Sequence, residues 1–103
     1  GMWEFPGGKR RPGEALPACL HREIHEELAI EIQIGELLCR VEHVFTHFYM
    51  TLYAFECNWL RGDPQLLGCT DLRWVTLDHL DTFAFPVADQ KIISYLRDRH
   101  SDH

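Results

Sequence analysis

Three carboxylates stand close together in the sequence, at Glu23, Glu26 and Glu27. On a helix, the spacing i, i+3, i+4 places them within an arc of about 100°. Because like charges on one helix face repel each other, a positive partner is expected beside them. Arg22 can reach Glu26 across one turn, and a divalent cation can neutralise the remaining charge. Carboxylate oxygens suit a hard ion such as Mg²⁺, although the same run also fits a solvated acidic face.

The segment before this helix carries the opposite charge. Gly7 and Gly8 permit backbone geometry that other residues avoid, and Lys9, Arg10 and Arg11 follow them directly. The sequence therefore places an anion-binding loop beside a cation-binding helix. This pairing predicts a site for a metal-bound diphosphate or triphosphate.

The periodicity of apolar residues predicts the elements that position this site. A four-residue repeat from Leu16 to Leu28, with Pro17 in the first turn, predicts a helix. Alternation predicts a strand over Ile30–Ile34 that Gly35 ends. Further predicted strands cover Trp3–Phe5, Leu37–Phe45, Phe48–Cys57 and Leu72–Leu77, and Pro86 opens a last helix. We expect one α/β (α+β) domain over residues 1–103, with a mixed β-sheet between helices.

Composition excludes several classes of protein. The chain has 103 residues, 46% of them hydrophobic, which predicts a folded domain rather than a disordered segment. Its net charge of −6 argues against stable binding of nucleic acid, which requires a basic face. No apolar run or leader predicts a membrane segment or secretion. We therefore expect a cytoplasmic protein whose cysteines, Cys19, Cys39, Cys57 and Cys69, are reduced. Cys19 is expected to pack on the face of the first helix.

The charged helix and its loop resemble a known motif, the Nudix box. Gly8 is followed after five residues by Glu14, and after seven more by the run Arg22–Ile30. Every specified position of the box matches except Ala29, where glycine is usual. The flanking segments Trp3–Lys9, Thr46–Phe48, Leu72–Val75 and Phe85–Ala88 are similar to those of the MutT branch, the 8-oxo-dGTP diphosphatases. The resemblance implies the Nudix fold, a mixed sheet between helices.

The resemblance also implies roles for the residues of the box. The Gly7 carbonyl and the carboxylates of Glu23, Glu26 and Glu27 would hold Mg²⁺, or alternatively Mn²⁺, and Glu14 would lie in the outer shell of the metals. Arg22 would orient the carboxylates. Either Glu23 or Glu26 would accept the proton of the attacking water. Some family members use a glutamate of a later loop for this step, and the matching stretch Leu66–Asp71 offers only Asp71.

Substrate contacts are implied at both ends of a nucleotide. Gly8 and Lys9 would contact the phosphates, and Phe5 and Phe85 would pack against the base. Asp89 stands where a branch member has asparagine, and it would read the purine edge. Ordinary core packing is the alternative for both phenylalanines. For Asp89 the alternative is a favourable charge in the first turn of the last helix.

The expected activity is Mg²⁺-dependent hydrolysis of 8-oxo-dGTP, and less rapidly of dGTP, to the monophosphate and pyrophosphate. Two alternatives remain open: a non-catalytic reader domain of an adenine glycosylase, and a Nudix hydrolase of another nucleoside diphosphate derivative. Family members usually carry one or two strands before the Trp-Glu-Phe-Pro-Gly-Gly run, which here begins at Trp3. The domain is therefore expected to be short at its N-terminus and to form a homodimer through its exposed sheet edge.

Overall fold

The structure is a computed structural model that describes residues 2–67 and 71–101. Its regular elements are helix α1 (Leu16–Leu28), strands β1 (Glu31–Val44) and β2 (Tyr49–Arg61), a 3-10 helix (Leu77–Thr82) and helix α2 (Val87–Ser101). The chain divides into two compact units. The first, here called the α1 unit, comprises Pro6–Glu36 and Phe55–Arg73. The second, here called the aromatic unit, contains the chain up to Phe5, Leu37–Ala54 and the chain from Trp74 onward.

Helix α1 begins and ends without side-chain caps. Its N-cap residue, Ala15, has no side-chain acceptor, and Pro17 occupies the first turn as predicted. The helix ends at Ala29, which has φ 58° and ψ 30° and donates its N–H to the His25 carbonyl at 2.9 Å. This left-handed conformation favours glycine. The structure therefore explains why glycine is usual at this position of the box, and it shows that alanine adopts the same turn here.

The core of the α1 unit consists of the apolar stripe of α1 and the start of β1. Ile24 and Leu28 are buried together with Ile30 and Ile32. Leu20, Ile34 and Leu72 are partly buried against this cluster. The predicted helical stripe is confirmed, and it leaves the neighbouring flank of α1 free to carry charge.

Strands β1 and β2 form an antiparallel two-stranded sheet. The predicted end of the first strand at Gly35 is wrong, because β1 runs through this residue without interruption. A Cβ at Gly35 would lie 3.0 Å from the carbonyl oxygen of Glu56, so the glycine permits a close approach to β2. The buried residue of β1 before Gly35, Ile32, has an even number, whereas the buried residue after it, Val41, has an odd number. The simple alternation of buried and exposed residues is therefore interrupted within the strand.

The predicted strand Phe48–Cys57 is present from Tyr49 onward as part of β2. None of its residues is buried, and Tyr49 and Tyr53 are among its exposed side chains. The loop between the strands is closed by a hydrogen bond from the Phe45 N–H to the Phe48 carbonyl, at 2.8 Å.

Two other predicted strands are wrong. Residues 72–76 form no strand, and Leu77 already belongs to the 3-10 helix. There the Asp71 carboxylate accepts the Leu72 N–H at 2.7 Å, which gives this backbone group a local partner instead of a neighbouring strand. Trp3–Phe5 is not a strand either, although the Trp3 N–H donates to the Ala84 carbonyl at 2.7 Å.

The core of the aromatic unit is built on α2 and the 3-10 helix. Leu80, Phe85 and Ile93 are buried together, and the partly buried side chains around them are Trp3, Phe5, Leu77 and Phe83. Helix α2 begins at Val87, directly after Pro86 as predicted. Its buried side chains are Ala88, Ile92 and Ile93, which share the predicted face.

No helix in the described part of the chain is long and apolar enough to cross a membrane. Cys19, Cys39 and Cys57 are free thiols in the structure. Cys69 lies outside the described residues.

Candidate active site

The glycine loop passes directly beside the middle of α1, at the acidic cluster. A Cβ at Gly8 would overlap the carboxylate of Glu23, so only glycine leaves this carboxylate in place. Gly7 has φ +152°, a backbone conformation that side chains with a Cβ rarely adopt. The Lys9 carbonyl accepts a hydrogen bond from Arg22 Nη2 at 3.2 Å, which ties the loop to α1. The Lys9 residue itself is exposed.

Arg22 is the centre of the acidic cluster. It holds Glu14 with two hydrogen bonds, from Nε to Oε2 at 2.8 Å and from Nη2 to Oε1 at 2.9 Å. Its Nη1 donates to Glu23 at 2.7 Å and to Glu26 at 3.3 Å, so the expected contact across one helical turn is present. The Arg22 side chain is only 18% exposed. Three carboxylates of the box are therefore held by one guanidinium in a partly desolvated setting.

The charge of Glu14 is strongly stabilised by this arrangement. The hydrogen bonds from Arg22 lower the pKa of Glu14 to about 2, and the backbone N–H of Arg11 contributes in the same direction. The same contacts with Glu14 and Glu23 raise the pKa of Arg22 above its ordinary value. Both groups are consequently charged at every pH at which the protein would work.

Glu26 and Glu27 complete the acidic flank at its more exposed end. The Glu26 side chain is 51% exposed, and its Oε1 lies 3.7 Å from Arg11 Nη2. Glu27 is half-buried, and its backbone carbonyl accepts the N–H of Leu67 at 3.0 Å. The exposed end of the flank is therefore the part of the cluster that water reaches most easily.

The residues of the cluster fit a divalent cation by their chemistry. Glu23 and Glu26 are oxygen donors on one flank of α1, which is the ligand type that a hard ion such as Mg²⁺ requires. Within the described residues, no three His, Cys, Asp or Glu side chains converge closely enough to hold an ion. The Arg22 guanidinium lies among Glu14, Glu23 and Glu26 instead.

The predicted base-binding residues lie in the aromatic unit. Phe5 and Phe85 are stacked, with ring centroids 5.3 Å apart and an interplanar angle of 26°. Phe85 is buried in the core, and half-buried Phe5 packs against it. Trp3 and Phe83 make a second ring contact in the same unit, edge to face, at 5.1 Å. Phe85 thus has a packing role, and Phe5 is the more accessible ring of the stacked pair.

Asp89 lies beside this stack, in the first turn of α2. Burial raises the pKa of its carboxyl group above the ordinary value, although the Phe5 N–H donates a hydrogen bond to the carboxylate and opposes the shift. The negative charge of Glu4 raises the pKa further. Asp89 is therefore easier to protonate than an exposed aspartate.

Cys19 is a member of the acidic cluster that its sequence position alone did not reveal. It was predicted to pack on the helix face, and its side chain is indeed buried. In addition, its thiol lies 3.9 Å from the Gly8 carbonyl and 3.9 Å from Arg22 Nη2. Its position three residues before Arg22 on the same helix is the signal that could have placed it there.

Comparison with known proteins gives the family of this chain. The sequence model of the NUDIX domain matches residues 1–95. The chain therefore belongs to the Nudix hydrolase family, and the resemblance drawn from the box is confirmed. Two solved structures agree: the E. coli ORF135 protein, with a TM-score of 0.87 at 25% identity over 100% of this chain and 74% of that one, and the MutT protein of Methanosarcina mazei, with a TM-score of 0.82 at 25% identity over 96% and 74%. These similarities confirm the Nudix fold.

The relatives of known sequence include 8-oxo-dGTP diphosphatases. One from Buchnera aphidicola subsp. Acyrthosiphon pisum is 30% identical over 93% of this chain and 77% of its own length. The one from E. coli K12 is 31% identical over 91% of this chain and 73% of its own length. A CTP pyrophosphohydrolase from E. coli K12 is 30% identical over 89% and 67%. These relatives all match most of this chain, but their names refer to two different substrates, 8-oxo-dGTP and CTP.

Proposed function

We propose that the chain is a divalent-metal-dependent nucleotide diphosphatase that hydrolyses 8-oxo-dGTP, and less rapidly dGTP, to the monophosphate and pyrophosphate. The observation that carries the proposal is the Arg22 network, which holds Glu14, Glu23 and Glu26 of the Nudix box on one flank of α1. The names of two relatives, at 30% and 31% identity, support the choice of substrate.

In this proposal, Glu23 and Glu26 hold Mg²⁺ or Mn²⁺ together with Glu27 and the Gly7 carbonyl. The bound ion would neutralise the polyphosphate and acidify the attacking water. Arg22 orients Glu23 and Glu26 through its hydrogen bonds, and Glu14 fixes Arg22 from the opposite side. Gly8 allows the loop to approach Glu23, and Lys9 offers an exposed ammonium group to the phosphates.

The hydrolysis itself needs one proton acceptor. We assign this role to Glu26, because its carboxylate is 51% exposed whereas that of Glu23 is 18% exposed and held at 2.7 Å by Arg22. The water oxygen forms a bond to phosphorus, the bond from phosphorus to the pyrophosphate oxygen breaks, and the water proton passes to Glu26. The products are the nucleoside monophosphate and pyrophosphate.

For recognition of the base, we propose Phe5 as the stacking ring and Asp89 as the group that reads the purine edge. The buried ring of Phe85 stacks against Phe5 and fixes its position. The raised pKa of Asp89 supports this role, because a carboxyl group that is easily protonated can donate as well as accept a hydrogen bond.

The test is pyrophosphate release from 8-oxo-dGTP, dGTP and CTP, measured side by side with Mg²⁺. Glu26→Gln is expected to reduce turnover by about 100-fold or more, since it removes the proton acceptor and a metal ligand. Glu56→Gln, which changes an exposed glutamate of β2, is the control and should retain activity.

The outcomes separate the alternatives. Fastest turnover of 8-oxo-dGTP, lost in Glu26→Gln, supports the proposal. If CTP is hydrolysed fastest, 8-oxo-dGTP is the wrong substrate, and the activity is that named for the E. coli CTP pyrophosphohydrolase relative. No turnover of any nucleotide by a folded sample would contradict the enzyme and favour the reader domain.

A further inference from the structure

Two arginines contact the carboxylate of Glu26, and their surroundings differ. Arg22 Nη1 lies 3.3 Å from Oε2, in a side chain that is 18% exposed and holds two other carboxylates. Arg11 Nη2 lies 3.7 Å from Oε1, in a side chain that is 64% exposed. Each oxygen of Glu26 therefore has its own cation, and the contact with Arg11 is the longer and more exposed of the two.

The backbone of Arg11 is fixed although its side chain is exposed. Its N–H donates to Glu14 Oε1 at 3.0 Å, and the Glu14 N–H donates back to the Arg11 carbonyl at 3.0 Å. These two hydrogen bonds close the Pro12–Gly13 turn, and Glu14 is itself fixed by Arg22. The guanidinium can therefore change partners while its attachment point stays next to the acidic cluster.

When a carboxylate oxygen binds a divalent cation, a guanidinium at the same oxygen is repelled by the metal charge, and its attraction to the neutralised carboxylate is weaker. Exposed ion pairs contribute little to stability, so the Arg11 contact is the one that Glu26 gives up most easily. The released guanidinium has five N–H donors in a planar arrangement that matches phosphate oxygens.

We propose that Arg11 is an exchangeable counter-ion of Glu26, which leaves the carboxylate when Glu26 binds a divalent cation and then contacts the phosphates of the substrate. The inference rests on the proposed function, since it assumes that the cluster binds a metal-bound polyphosphate. Arg11 therefore has two opposite effects in this proposal. It weakens the binding of a metal ion in the absence of phosphate, and it strengthens the binding of a metal-bound polyphosphate.

The first experiment measures Mn²⁺ binding without nucleotide, from the paramagnetic resonance signal of free Mn²⁺. Arg11→Gln is expected to lower the dissociation constant about two- to fivefold, the range set by exposed ion pairs. Arg10→Gln is a matched control, because it removes the same charge from the adjacent exposed residue, and none of the ion pairs found among the described residues involves Arg10. Equal changes in both variants would overturn the proposal, because they would reflect net charge alone.

The second experiment measures binding of inorganic tripolyphosphate, added as its Mg²⁺ complex, by calorimetry. Arg11→Gln is expected to weaken binding about three- to tenfold, and more than Arg10→Gln does, because a charge-assisted contact is lost. Unchanged or tighter binding in Arg11→Gln would overturn the proposal. Arg11→Lys retains the charge and should lie between Arg11→Gln and the natural chain in both experiments.

Neither experiment requires turnover or a particular base. If 8-oxo-dGTP is not hydrolysed but Arg11→Gln shows both opposite effects, the proposed substrate fails and the role of Arg11 stands. If 8-oxo-dGTP is hydrolysed but Arg11→Gln and Arg10→Gln behave alike, the substrate stands and the role of Arg11 fails.

Discussion

Glu14 in the α1 unit and Asp89 in the aromatic unit are both half-buried carboxylates, yet their pKa values shift in opposite directions. Glu14 accepts two hydrogen bonds from Arg22, and its pKa falls to about 2. Burial beside an apolar core raises the pKa of Asp89, although its carboxylate accepts a backbone hydrogen bond from Phe5. The partner groups, and not the burial alone, decide which charge state the fold favours.

This contrast matches the chemistry proposed for each unit. In the α1 unit, Arg22 holds Glu14 ionised and also donates hydrogen bonds to Glu23 and Glu26, the carboxylates proposed to bind a cation. The aromatic unit holds a carboxyl group that is easier to protonate, beside stacked rings, which suits hydrogen bonding to a flat heterocycle. Three substitutions test the contrast.

Gly8→Ala is expected to give the largest effect, a loss of about 100-fold in turnover of the nucleotide. The added Cβ overlaps the Glu23 carboxylate, and a displacement of about 1 Å at a catalytic group is sufficient for such a loss. Gly13→Asn is the control, because nothing lies within 4 Å of a Cβ at Gly13 and asparagine tolerates its φ of +78°. Full activity in Gly8→Ala would mean that the position of Glu23 is not critical.

Glu14→Gln is expected to destabilise the protein at neutral pH and to have much less effect in acid. The folded-state pKa of Glu14, about 2, lies below the ordinary value of 4.5. Its contribution is therefore complete above about pH 4.5 and is lost as the pH falls towards 2. Urea unfolding at about pH 7 and about pH 3 measures the difference, with Glu56→Gln as the control for loss of one negative charge. If Glu14→Gln lowers the free energy of unfolding as much at about pH 3 as at about pH 7, the low pKa assigned to Glu14 is wrong.

Asp89→Asn is expected to produce the smallest effect, with the opposite sign. Because the folded-state pKa of Asp89 lies above the ordinary value of 3.8, ionising this residue destabilises the fold as the pH rises through the folded-state pKa. The variant should gain stability relative to the natural chain between acid and neutral pH, since the asparagine oxygen still accepts the Phe5 N–H. The same unfolding series measures this, with exposed Asp98→Asn on α2 as the control. A loss of stability at neutral pH would show that the charge of Asp89 is favourable where it lies.

The sequence predicted the parts of the fold that depend on local pattern. The apolar stripe of α1, the start of α2 after Pro86 and the contact of Arg22 with Glu26 follow from helical periodicity, and the structure contains all three. The Nudix family followed from the spacing of the box, because a motif of fixed residues at fixed intervals is a property of the sequence itself.

The predictions that failed depend on contacts between distant parts of the chain. Gly35 does not end β1, because its backbone approaches Glu56 of β2, and local pattern cannot report that neighbour. Residues 72–77 alternate like a strand, but no strand pairs with them in the described part of the chain. The roles proposed for the site residues in catalysis and base recognition remain predictions.

The charge of the site follows from the residue types and their order along the chain: an acidic helix flank, a basic glycine loop and the oxygen ligands that a metal-bound phosphate requires. How those charges pair with one another depends on the folded arrangement. The tertiary structure placed Arg22 among three carboxylates, Cys19 under the Gly8 carbonyl and Arg11 at the exposed end beside Glu26. Helical periodicity determines which side chains lie on the same face of α1. The contacts of these side chains with the preceding loop depend on how that loop packs against α1.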